Sequence, residues 1–188
     1  MVIKKRALRG LADLSIFPVT KNDIEGYVVG AKIGISGAQE LTSQKEIDEW
    51  KIYADDGIYD AGADWKGSKF TLQLAGLTHE QRVYFEGGEY DAVAKEYVFK
   101  SVSEAPEIAL SFSSIADSDT KELTKVYSAK CLKVSFEHKT KGGNSSVVPV
   151  KIEGIFMERK FDKAIFVKKD GAATDISWLD TIEALPTA

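Results

Sequence analysis

The chain has 188 residues, 44% hydrophobic and 29% charged, with a net charge of −4. These values fit one globular domain with a real core and exclude a low-complexity or collagen-like chain. The acidic balance argues against general binding to nucleic acid or anionic membranes, which requires a basic excess. The single Cys131 excludes an intramolecular disulfide and fits a reducing compartment.

The first ten residues are basic through Lys4, Lys5, Arg6 and Arg9, but no apolar run follows, so a signal peptide is not expected. No apolar stretch reaches the ~20 residues of a membrane span. Residues 8–20 read as an N-terminal arm ending near Phe17-Pro18. Tyr27, Val29, Ala31, Ile33 and Ile35 alternate with small or polar residues, the period of one half-buried strand. Residues 37–50 are polar and charged and read as a long loop. Trp50, Ile52 and Ala54 alternate again and lead into an Asp56-Gly57 turn. Phe70, Leu72 and Leu74 mark a third strand.

The period then changes. Thr78-His79-Glu80-Gln81 has capping-box spacing, with Leu77 before it and Gly87-Gly88 as the stop, and predicts a helix of about two turns. Strand patterns resume at Ile108, Leu110 and Phe112, at Leu132, Val134 and Phe136, and at Val150, Ile152 and Phe156, where Gly154 suggests a bulge or close approach. Residues 164–168 read as a further strand. Trp178, Leu179, Ile182 and Leu185 sit at helical spacing and predict a short terminal helix. The expected fold is mainly β: an antiparallel sandwich or barrel with one short flanking α-helix. One domain spans 1–188, with an N-terminal arm at about 1–20, the long loop at about 37–50 and a C-terminal segment at about 170–188.

Chemistry-bearing residues are sparse. Cys131 and His138 are an odd number of positions apart and face opposite ways in one regular strand, which argues against a nucleophile–base pair. His79 and His138 are the only histidines, too few for an organised zinc site. Asp55, Asp56, Asp60 and Asp64 lack the spacing and closing Glu of a calcium loop and read as turn formers. Lys141-Gly142-Gly143-Asn144-Ser145-Ser146 has the wrong order for a phosphate loop and precedes a strand. Trp50, Trp65 and Trp178 could stack on sugars but lie far apart, so packing is the simpler role. No catalytic, cofactor or metal residue is expected.

The ordered pieces resemble the major tail tube protein of long, non-contractile-tailed bacteriophages. They are Gly10-Leu11-Ala12-Asp13-Leu14 with Pro18-Val19-Thr20; Tyr53-Ala54-Asp55-Asp56-Gly57 with Tyr59; and Phe70-Thr71-Leu72-Gln73-Leu74 leading to Leu77-Thr78-His79-Glu80-Gln81-Arg82. Ala105-Pro106 with Ala109-Leu110-Ser111-Phe112 follows, then Thr140-Lys141-Gly142 and Glu153-Gly154-Ile155-Phe156. The resemblance implies a tail-tube fold without catalytic residues or cofactors. It also implies hexameric rings that stack into a tube passing DNA without tight binding. Its partners would be other copies of itself and the tail-tip, tape-measure and terminator proteins of the virion. The place would be the virion tail, assembled in host cytoplasm, with no membrane involved.

Within that reading, the polar faces of two hairpins, 27–55 and 126–158, supply the expected lumen residues Lys32, Ser36, Lys133, Ser135, Glu137, Lys151 and Glu153. Their signs are mixed. The 37–50 segment, through Glu46, Asp48 and Glu49, is expected to meet the next ring, with Lys4, Lys5 and Arg6 as basic partners. Alternative readings are a tail terminator or other head–tail connector ring, or a carbohydrate-binding β-sandwich.

Overall fold

Alternation of apolar and polar residues becomes a single wrapped sheet in the computed structural model of the chain. The structure describes residues 9–117, 120–137, 149–172, 174 and 176–182. The strands are β1 (Arg9–Asp23), β2 (Gly26–Val29), β3 (Ile33–Gly34), β4 (Ala38–Ala54), β5 (Gly57–Leu74), β6 (Glu89–Asp91), β7 (Glu96–Val98), β8 (Glu107–Asp117), β9 (Thr120–Ser135), β10 (Val150–Met157) and β11 (Phe166–Ala172). One helix, α1 (His79–Glu86), and a 3-10 turn at Ser177–Asp180 complete the elements among the described residues. The fold is therefore mainly β and antiparallel, with one short helix.

Nine strands form one sheet in the order β2-β1-β8-β9-β10-β5-β4, with β3 also on β1 and β11 also on β9. β9 organises it. One of its edges carries β10 along Ser128–Ser135 pairings and then β11 along Thr120–Val126 pairings, while the other carries β8 up to Lys130. The sheet curls so that β1 approaches β4 without pairing. Leu14 and Ile16 thereby meet Phe70, Leu72, Leu110, Ile152 and Phe156 in one core, which Phe85 of α1 closes. A smaller cluster of Phe17, Ala109, Tyr127 and Ile182 covers the opposite face of β1, β8 and β9.

α1 begins as its sequence dictates. The Thr78 hydroxyl accepts from the Gln81 amide, and the Gln81 side chain accepts from the Thr78 amide. Gly87 ends it with a φ of 81°. The β6–β7 hairpin is pinned to this end by Tyr97, whose hydroxyl donates to the Gly87 carbonyl at 2.7 Å. The Gly154 expectation holds on both counts. The β9–β10 register shifts beside it, and a Cβ there would lie 2.5 Å from the Lys130 carbonyl oxygen and 2.6 Å from the Phe70 ring.

Several segments differ from their sequence reading. From Arg9 onward the N-terminal arm is strand β1, paired with β8. Leu14, Ser15, Ile16 and Phe17 are all buried, because both faces of the sheet are covered there, so no alternation marks the strand. Most of the 37–50 loop is β4, paired residue by residue with β5. Its composition is polar because both faces of this stretch are largely open to water. The single strand expected over 27–35 is two short pieces, β2 and β3, each borrowed by β1. Hence 27–55 is no hairpin; the long hairpin is β4–β5. The terminal helix reduces to the turn at Ser177–Asp180, and the 170–188 segment is β11 as far as Ala172; residues 183–188 lie outside the described ones.

Candidate assembly surface

The four strands β9, β10, β5 and β4 share one outward polar face, and register fixes its composition. Ser135 lies opposite Lys151, Lys151 opposite Gln73, and Gln73 opposite Glu40. The next polar row is Lys133, Glu153, Thr71 and Thr42. Between them, on the other side of the sheet, runs the apolar row Val134, Ile152, Leu72 and Leu41. Period-2 alternation in four adjacent strands thus separates a dry face from a wet one.

Charges on the wet face are largely answered within it. Lys151 and Glu153 form an ion pair at 2.5 Å. That bond, more than the neighbouring Lys133, holds the Glu153 carboxyl below the usual glutamate range. Gln73 Nε2 donates to Glu40 at 2.9 Å, and the Thr42 hydroxyl donates to its other oxygen at 3.0 Å. A shallow cavity of about 380 Å³ opens here, lined by Thr42, Gln44, Lys69, Thr71, Lys133 and Glu153, among others.

Of the expected lumen residues, Lys133, Ser135, Lys151 and Glu153 come together on this face, and exposed Glu137 follows just after the end of β9. Lys32 and Ser36 do not join them. They line a separate cavity of about 440 Å³ with Asp13 and Ile176, and Lys32 is ion-paired with Asp180 at 2.5 Å. The separation follows from topology: the 26–34 strands pair with β1, not with β4.

Among the described residues, both outer edges of the four-stranded unit are open. No described strand pairs with the far side of β4. On β9, the described partner of residues 131–135 is β10 alone, because β8 begins opposite Lys130. Beside that free edge is a cavity of about 740 Å³, walled by Arg82, Phe85 and Glu86 of α1 and by Tyr97, Phe99 and Ala105. The Arg82 guanidinium lies 4.0 Å from the Phe136 ring centroid, and its buried Nε has no hydrogen-bond partner among the described residues.

β4 and β5 run on past the sheet as a two-stranded hairpin that turns at Asp55 and Asp56, both with positive φ. Trp50, Ile52, Tyr53, Ile58 and Tyr59 are exposed along it. Two of the expected ring-contact residues are engaged within the hairpin: Glu46 pairs with Lys69, and Asp48 with Lys66 at 2.6 Å. Glu49 is exposed. Lys4, Lys5 and Arg6 lie outside the described residues, as does His138. His79 stacks parallel to Tyr97, with 6.4 Å between centroids. Among the described residues, no group of three His, Cys, Asp or Glu side chains could hold a metal ion. Alternation at Trp50, Ile52 and Ala54 and the Asp56-Gly57 turn already mark the hairpin's tip; its length is hidden because residues 37–50 read as loop and 57–67 are rich in Gly and Asp.

No protein-family model matches the chain, and no curated protein matches it.

Proposed function

We propose that this chain is a structural subunit that closes into rings, with β4 of one copy adding to residues 131–135 of β9 in the next. The observation that carries this reading is the pair of open edges bounding one continuous polar face. Because β4, β5, β10 and β9 alternate in direction, a second copy's β4 beside β9 continues the antiparallel order. The polar face then stays on one side of every copy. A heterologous contact of this kind, where its rotation closes, makes a ring and removes exposed edges at once.

The resemblance to phage tail tube proteins supplies the size and purpose of the assembly: six copies per ring, rings stacked into a virion tail tube, and DNA passing through the lumen. The polar face would line that lumen. Lys133, Lys151 and Lys69 are offset there by Glu153, Glu40 and Glu46, which suits a surface that lets a polyanion slide rather than stick. Tail-tip, tape-measure and terminator proteins are the partners this role requires. No catalytic step enters it.

Negative-stain micrographs of the purified chain over a range of concentrations, with and without a tail-tip initiator, test the reading. Stacked rings forming tubes are expected; single rings alone indicate a terminator-like component. Duplex DNA should bind weakly in a gel-shift assay. A chain that stays monomeric under every condition sinks the proposal.

A further inference from the structure

The body of the molecule carries a second, rigid feature that matches the hairpin in charge and shape. Between β10 and β11 the chain makes a closed turn. The Arg159 amide donates to the Ala164 carbonyl at 2.8 Å, and the Lys163 amide to the Arg159 carbonyl at 2.7 Å. Asn22 accepts from the Lys160 amide at 2.9 Å, tying the turn to the end of β1. Asp162 is consumed by buried Arg159. The exposed tip therefore presents Lys160, Phe161 and Lys163, a cation on either side of a ring that is 42% exposed. Among the described residues, no carboxylate forms an ion pair with either lysine.

The hairpin is the complement. Residues 46–65 contain seven carboxylates and one lysine, a net of −6 in a chain whose total is −4. Register places Asp48 opposite Asp64, Trp50 opposite Gly62 and Ile52 opposite Asp60, so these alternate positions share one face. Trp50 lies down over Gly62, where a Cβ would come within 2.5 Å of the indole. The result is a flat apolar strip, Trp50 at 40% and Ile52 at 50% exposure, edged by Asp60 and Asp64. Among the described residues, neither aspartate forms an ion pair. An acid-edged apolar strip and a lysine-flanked phenyl ring are complementary both electrostatically and in apolar surface.

We infer that the Trp50 face of the hairpin in one copy receives the 160–163 turn of another. This rests on the self-assembly reading and adds a contact distinct from the edge pairing of β4 with β9. It gives the projecting hairpin a definite seat on a neighbouring copy.

Charge reversal with compensation tests it in the full-length chain, using sedimentation velocity and micrographs side by side. Lys160→Glu with Lys163→Glu should weaken association at least tenfold. Asp60→Lys with Asp64→Lys should do the same. Mixing the two reversed chains, or combining all four changes, should restore association toward wild type. Circular dichroism melts confirm that each variant folds, since all four positions are on the surface. Undiminished assembly of either reversed chain overturns this contact while leaving ring formation intact. Weakened assembly with no restoration also overturns it, because the two surfaces then have different partners. A wild-type chain that never associates removes both readings.

Discussion

The guanidinium of Arg159 lies 3.9 Å from the centroid of the Tyr127 ring and is wholly removed from solvent. Its Nε donates to Asp162 Oδ1 at 2.8 Å and its Nη2 to Oδ2, and the Tyr27 ring lies on a further side at 5.2 Å. Tyr27 in turn donates its hydroxyl to the Tyr127 carbonyl. One cation thus joins β2, β9 and the turn after β10, and the ion pair is what makes its burial tolerable.

Arg159→Met should destabilise the fold by about 3 kcal/mol, the low end for a broken buried pair because Asp162 keeps some access to water. Arg159→Lys should recover little, since an ammonium cannot fork to both oxygens or stack as a plane. Urea denaturation curves of the three proteins decide this. Equal midpoints for wild type and Arg159→Met would show that the cluster is not structural.

Asp13 sets a pH dependence. It stands in the left-handed region at φ 56°, at a break in the β1–β8 register. Burial pushes its carboxyl up, but hydrogen bonds from Ser113 at 2.6 Å and Lys121 at 2.9 Å outweigh this and hold it below the usual range. A depressed folded pKa means stability that is present above the unfolded value, near 4, and lost as pH falls through the folded one. Thermal melts should therefore decline below about pH 4. Asp13→Asn should be less stable at neutral pH and flatter across that acid window. Parallel curves for the two proteins would remove Asp13 as a source.

Much of this was legible from spacing alone, and the reason is physical. Thr78 and Gln81 announce a helix start because the amides they satisfy are local. Leu72, Leu74, Ile152 and Phe156 alternate because one face of the sheet is dry there and the other is wetter. β1 hid because Leu14 to Phe17 are buried on both faces and its bulges break the period. β4 hid for the opposite reason: water reaches most of its side chains, and only β5 and the register tell it from a loop. The polar face could be read strand by strand. That Lys32 and Ser36 lie elsewhere depends on which strand borrows residues 26–34, and that is long-range information.

Gly154 offers a test of packing beneath the polar face. Phe70 and Phe156 stack at 4.6 Å beside it, and any Cβ must displace the Phe70 ring and the Lys130 carbonyl. Gly154→Ala should cost roughly 1–3 kcal/mol through this overpacking. Guanidinium unfolding measures it, and a neutral result would mean that β9 and β10 can separate locally at no penalty.

Trimming the hairpin separates folding from assembly. Deleting 42–48 alone would excise seven of the 17 residues of β4 and shift its register against β5. Replacing residues 47–66 with Asn-Gly keeps the pairs from Ala38–Leu74 to Lys45–Ser68 and the core behind them. The trimmed chain should melt within a few degrees of wild type, since the removed side chains are largely exposed. Under the assembly reading, it should form no tubes. Tubes of normal length from this variant would show that the hairpin beyond Lys45 takes no part in assembly, and would leave the edge contact of β4 with β9 standing.

The pairing of β1 with β8 has a consequence for biosynthesis. Pro18 meets Ile108, ninety residues later in the chain. At about 5–20 residues per second, a ribosome needs several seconds or more to deliver that partner. During the wait Leu14, Ile16 and Phe17 have left the exit tunnel with only the short strands β2 and β3 to hold their segment. The first ribbon made is thus among the last to be secured, which makes the nascent chain, rather than the finished protein, the form most dependent on chaperones.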